Sequence, residues 1–285
     1  MLSSLWNLFG YTEKTVLKRC YGWKKDKVDP RDLLKTFTAF SHESATTTTV
    51  DLRSKCPSVY DQGALGSCTA NAIAGAYEFD MMKEHEDNIF TPSRLFIYYN
   101  ERKMEGNIDE DAGAEIRDGI KSINKVGVCD EKEWPYDISK FTNEPTQNLY
   151  DEAKHHTAIK YQRVSQDLKH MKECLHQGLP FVFGFMVYES FESKKVASTG
   201  NMPMPQEGEE ILGGHAVMAV GYNDEKKVFI VRNSWQDTWG DKGYFYMPYD
   251  FMTNADYVSD IWVVETVKDD TDYTKPLDKL SYNSY

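Results

Sequence analysis

Three residues in this chain have the types needed for nucleophilic acyl chemistry, provided the fold brings them together. Cys68 ends the loop DQGALGSC, His215 opens the apolar run HAVMAVGY, and Asn233 closes the run VFIVRN. A thiol attacks a carbonyl only as thiolate, and an imidazole can take its proton and return it to a leaving amine. A side-chain amide can accept from the imidazole and hold one ring orientation and tautomer. The tetrahedral intermediate needs donors for its oxyanion. The backbone N–H of Cys68 is one candidate, and the amide of Gln62, six residues upstream, is the other.

The elements around these residues are readable. Residues 68–85 predict a helix whose first turns carry Ala70, Ala72, Ala74, Gly75 and Ala76, so it packs closely on several sides. Ser67 suits the N-cap and places Cys68 in the first turn, where the helix dipole favours a thiolate. The two apolar runs flanking Asn223–Lys227 predict an antiparallel hairpin. Opposed residues of such a ladder share an index sum. His215 and Asn233 give 448, whose midpoint is Asp224 in the expected turn, so the hairpin is expected to set them side by side. Trp235 and Trp239 are expected to shield that contact. Helical spacing recurs over 93–102 and 115–126, and from Pro180 the residues favour strands, over 181–188, 215–222 and 228–233. Helices first and strands later predict an α+β fold with two lobes.

The chain has 285 residues, 40% of them hydrophobic, enough for a substantial core, and a formal net charge of −12. That acidity argues against nucleic acid and anionic membrane as partners. No apolar run approaches the ~20 residues that span a bilayer, and the N-terminus lacks the basic start of a signal peptide. Five cysteines is an odd number, so at least one thiol stays unpaired within a monomer. Free thiols in a soluble, intracellular setting are expected, virion-associated if the source is viral. Cys20–Cys56 and Cys56–Cys129 bridges stay open as alternatives.

The blocks QGALGSC, GGHAVMAVGY and NSWQDTWGDKGYFYM, in that order, resemble the three signatures of the papain-like cysteine peptidases. His215 and Asn233 follow Cys68 by 147 and 165 residues, against about 130–150 in such enzymes. The stretch 111–136, DAGAEIRDGIKSINKVGV followed by WPY, is similar to the family's substrate wall and helix, so the resemblance covers about 50–267. It implies a nucleophile helix facing an antiparallel sheet across a cleft, with protein or peptide substrates and no cofactor. It further implies that Cys68, His215 and Asn233 are catalytic, that Gln62 and Cys68 form the oxyanion hole, and that a thiolate–imidazolium pair exists near neutral pH. Gly66, Gly113, Ala216 and Trp235 would contact substrate, and Asp260, at the base of the main pocket, would favour a basic residue.

Two departures stand out. Leu65 occupies the place of the family's first signature cysteine, which removes a disulfide, and Thr69 that of an aromatic. This variant is similar to the short cathepsin-B-like peptidases of microbes and large DNA viruses, as is Gly213-Gly214-His215-Ala216. No insertion matches the occluding loop of cathepsin B, and His155-His156 come too late for it, so an endopeptidase is expected. A silent binding module on the same fold, or an acyl transferase or peptide ligase, is the alternative.

Other motifs carry less. The 107–113 loop misplaces the glycine of a calcium loop and lacks its twelfth-position acid. The pairs His155-His156 and His170/His176 lack zinc-site spacing. Residues 1–49 form an extension read as a propeptide cut near Thr46–Thr49, with an integral arm as the alternative. A helical lobe over 50–148, a sheet lobe over 149–267 and a polar tail over 268–285 complete the expected organisation.

Overall fold

The computed structural model describes residues 19–37, 46–84, 89–157 and 159–266. The expected tail over 268–285, the middle of the extension and its first 18 residues lie outside them. Three helices form one side of the molecule: α1 (Cys68–Lys83), α2 (Arg94–Glu105) and α3 (Ile116–Val126). α1 is buried from Cys68 to Met81, as its small residues foretell. α2 starts at Ser93, whose Oγ accepts from Phe96 N, and stops at Gly106 in the left-handed region.

The other side is a sheet. Its strands are β2 (Thr49–Asp51), β4 (Ile159–Arg163), β5 (Phe181–Tyr188), β6 (Ile211–Asn223), β7 (Val228–Arg232), β8 (Tyr244–Pro248) and β9 (Val258–Thr266). The spatial order is β4-β9-β5-β6-β7-β8, with β2 added beside β6, and every pairing is antiparallel. β5, the continuous apolar run FVFGFMVY, is buried on both faces, because α1 packs against β5, β6 and β9. One apolar core joins helices and sheet, and a smaller cluster lies under Phe96, Cys129, Leu149 and Ala153. Short helices α4 (Gln147–Ala153), α5 (Leu168–His176), α6 (Lys194–Thr199) and α7 (Tyr249–Met252) connect the strands. The expected α+β architecture is the observed one.

Two short strands stand apart. β1 (Trp23–Lys24) belongs to the N-terminal extension and pairs in parallel with β3 (Ala114–Glu115), which leads into α3. The extension thus adds a strand to the helical side while its side chains reach β5 and β6 of the sheet side.

Candidate active site

Cys68 is the first residue of α1 and is fully buried. Ser67 holds the N-cap position but its side chain makes no capping bond. Its hydroxyl instead hydrogen-bonds Tyr136 Oη and accepts from Asn71 Nδ2 at 3.1 Å, an exchange that tethers the nucleophile turn to the helical side. Gly66, just upstream, donates its N–H to both oxygens of Asp111 at 3.0 Å. Asp111 also accepts from Tyr98 Oη, so it is a tether for the Cys68 loop and not merely a solvated loop residue.

His215 lies on β6, fully buried, with Nε2 2.8 Å from Asn233 Oδ1. The contact was expected, but the register that produces it differs from the expectation. Near the turn Tyr222 faces Phe229, an index sum of 451, and after an irregularity Met218 faces Arg232, a sum of 450. Continued, that register sets Trp235, not Asn233, opposite His215. Trp235 does stack on the imidazole, centroids 4.9 Å apart at 22°. Asn233 reaches the ring because β7 ends at Arg232 and the chain turns there, Asn233 N bonding Gly243 O at 2.9 Å. Trp239 packs edge-on against Trp235 at 5.0 Å, one ring removed from the histidine. His215 Nδ1 is buried and makes no hydrogen bond.

Gln62 is fully buried, and its orientation is fixed at both ends of its amide. Oε1 accepts from Ser234 Oγ at 2.7 Å, while Nε2 donates to Leu65 O at 3.0 Å and to Cys20 O at 3.1 Å. The acceptor Cys20 belongs to the extension, and the residues after it continue through the site. Gly22 presses on Gly66 and Gly113: a Cβ at Gly22 would lie 1.6 Å from Gly66 O, and one at Gly113 would lie 2.0 Å from Gly22 O. Gly113 also has φ +68, so glycine is required there on both counts. Ala114 N donates to Gly22 O at 2.7 Å. Tyr21 sits edge-on to His215 at 6.1 Å and bonds Glu192, Arg19 caps Trp235 at 4.5 Å, and Trp23 is buried between β5 and β6.

This packing sets the electrostatics. The Cys68 sulfur faces backbone N–H groups of Ala216, Gly22 and Thr69, which favour a thiolate, but burial outweighs them and pushes the thiol up to about 11. Burial likewise pushes His215 down to about 4, against the opposing bond to Asn233. The expected thiolate–imidazolium pair is therefore absent while the extension is seated, because neither charge is solvated.

Asp260 also departs from expectation. Its carboxylate accepts from Asp26 N at 2.8 Å and pairs with Arg163 Nη1 at 3.4 Å, so a cation already faces it. All five cysteines are free. Among the described residues no group of histidines, cysteines and acids is placed to hold a metal ion, and no helix is long and apolar enough to cross a membrane. The sequence reading missed the segment Cys20–Trp23. Its signals were Gly22-Trp23, a small residue and a large one adjoining in an otherwise polar stretch.

A nucleophile helix facing a sheet-borne histidine and asparagine defines a class, and comparison with known proteins agrees. Residues 46–260 match the papain family cysteine protease model. The chain belongs to the papain family and is a cysteine peptidase, acting on proteins or peptides. It is 46% identical over 280 residues to an uncharacterized peptidase C1-like protein of Acanthamoeba polyphaga mimivirus, covering 90% of each chain. Its fold matches the crystal structure of xylellain, a cysteine protease from Xylella fastidiosa, with TM-score 0.80 and 43% identity, over 89% of this chain and 100% of that one. Digestive procathepsin L 3 of Tenebrio molitor shares the fold at TM-score 0.64 and 19% identity, over 88% of this chain and 76% of that one.

Proposed function

We propose that the chain is a cysteine endopeptidase made as a zymogen, with Cys68 as nucleophile, His215 as acid/base and Asn233 orienting the histidine. The observation that carries this reading is the state of the imidazole: Nε2 is engaged by Asn233 Oδ1 at 2.8 Å, which leaves Nδ1 as the nitrogen able to exchange a proton with sulfur. Cys68 Sγ gives its proton to His215 Nδ1, and the thiolate adds to the substrate carbonyl carbon. The oxyanion takes hydrogen bonds from Cys68 N–H and Gln62 Nε2. Collapse expels the amine, which leaves with the proton from Nδ1, and a thioester remains on Cys68. Water then gives a proton to Nδ1 and its oxygen to the acyl carbon; the thiolate departs and the new carboxylate product leaves. Gln62 already holds a peptide carbonyl, that of Cys20, which supports its role as donor.

The same contacts support the zymogen. The sulfur faces the N–H of Gly22 and not a carbonyl carbon, so the seated segment offers it nothing to attack. Activation needs the segment to leave. Residues 47–51 are bonded to the sheet through Tyr222 Oη to Thr47 O, Asp224 N to Thr48 O, and β2 on β6. A cut that spares those bonds falls before Thr47. The missing occluding insertion supports endopeptidase over terminal trimming. Labelling with an epoxysuccinyl peptide tests the mechanism. Modification at Cys68 that is abolished by His215→Ala is expected; equal labelling of the variant would refute it.

A further inference from the structure

Resting on the peptidase reading above, we infer that the substrate pocket beside Cys68 is built for a bulky aromatic side chain, with Gly184 and Gly214 as the residues that determine this. The extension supplies the cast. Gly22 lies against the nucleophile, and the next residue, Trp23, is 7% exposed with its indole laid over β5 and β6. A Cβ on Gly184 would come within 1.9 Å of Trp23 Cε2 and 2.3 Å of Cδ2, and one on Gly214 within 2.7 Å of Cε3. The indole therefore fills space that any other residue at these two positions would take.

Backbone conformation does not ask for glycine at either place. Neither has a positive φ, and both sit in paired positions, Gly184 with Ala216 and Gly214 with Met186. Glycine inside a strand weakens it, so its presence marks a close approach. The walls that remain are small as well: Ala114 and Ala216 are both buried. Chemically the pocket is suited to hydrocarbon. Trp23 Nε1 is buried without a hydrogen-bond partner, so nothing there requires a polar tip. Asp260, which would have argued for a basic residue, is matched by Arg163, a residue of the sheet that stays when the extension leaves. A peptide passing through the same groove places one side chain in this pocket, that of a neighbour of the acylated residue.

The test uses the full chain and a set of epoxysuccinyl peptides that differ only at the residue next to the one held by Cys68, carrying tryptophan, phenylalanine, leucine or arginine. The rate of Cys68 modification is read by mass spectrometry in the wild type and in Trp23→Ala, which vacates the pocket. Aromatic probes are expected to react about tenfold or more faster than arginine, and Gly184→Val to erase that advantage without slowing a probe with alanine there. Arginine or leucine leading in the wild type and in Trp23→Ala overturns the aromatic pocket while the peptidase reading stands. No modification of Cys68 by any probe in either protein sinks the peptidase reading itself. Should Gly184→Val not fold, the order of the four probes on wild type and Trp23→Ala still decides.

Discussion

Asn233 fixes which imidazole nitrogen faces the nucleophile, and burial fixes its charge. His215 is held neutral down to about pH 4 by desolvation, whereas an exposed histidine titrates near 6.5. Opened chains thus bind one more proton between these values. The stability that a neutral His215 lends the closed form is complete above about pH 6.5 and is lost as pH falls through about 4. The difference is worth roughly 3 kcal/mol. In a nitrogen-15 NMR titration the His215 ring of the full chain is expected to stay neutral until pH nears 4; protonation near 6.5 would show that the ring is not sealed. In the activated enzyme His215→Ala is expected to lower turnover by roughly 10²–10⁴-fold, the usual worth of a positioned acid/base, read as kcat/KM on a peptide substrate. At this scale the sequence was legible: Cys68, His215, Asn233 and Gln62 carry chemistry that little else explains. Their ionisation was not, because it depends on a segment some 40 residues upstream that no local pattern ties to the site.

Secondary structure places these groups, and here the reading succeeded for a reason it had partly wrong. α1 and the β6–β7 hairpin were legible from alternation and small-residue content. The hairpin register was off because a ladder irregularity between Ala219 and Gly221 shifts the pairing, and such irregularities leave little mark in apolar runs. The histidine and asparagine still meet, since Asn233 lies beyond the strand end. Glycines inside strands were the unread signal, Gly184 above all. β1 depends on Gly22: with a Cβ 1.6 Å from Gly66 O, any larger residue must lift the segment. Gly22→Val is therefore expected to unseat Tyr21–Lys24 and to speed alkylation of Cys68 at neutral pH by at least about tenfold, against a thiol otherwise held up near 11. A labelling rate equal to wild type would contradict that contact.

Across the whole molecule the extension is pinned to both sides by an ionic cluster. Arg163 of the sheet reaches Asp32 at 2.8 Å, Asp26 at 3.0 Å and Asp260 at 3.4 Å, while Arg117 of α3 reaches Asp32 at 3.1 Å. Asp26 is buried, receives Trp262 Nε1 and Arg117 N, and is pushed above the usual carboxylate range by burial and then by Asp260. A raised carboxylate favours the docked form below its own titration and weakens it as pH rises, the opposite sense to His215. Removing the shared cation leaves three carboxylates facing one another. Arg163→Met is expected to weaken docking by about 2–3 kcal/mol, a buried-pair value reduced for partial exposure. Faster limited proteolysis within residues 19–37 is the readout; an unchanged cleavage rate would show the cluster to be dispensable. None of this was legible in sequence, since its members are scattered from Asp26 to Trp262 and only the fold assembles them.

The central claim is that this chain is a peptidase shut by its own extension, and self-processing tests it most directly. Purified full-length protein is incubated with reductant, and the new N-terminus is sequenced beside a Cys68→Ala control. The account predicts that the wild type shortens to a start near Thr46, before Thr47, and gains activity in step, while the Cys68→Ala protein stays whole. No shortening of the wild type, or equal shortening of the control, would contradict it.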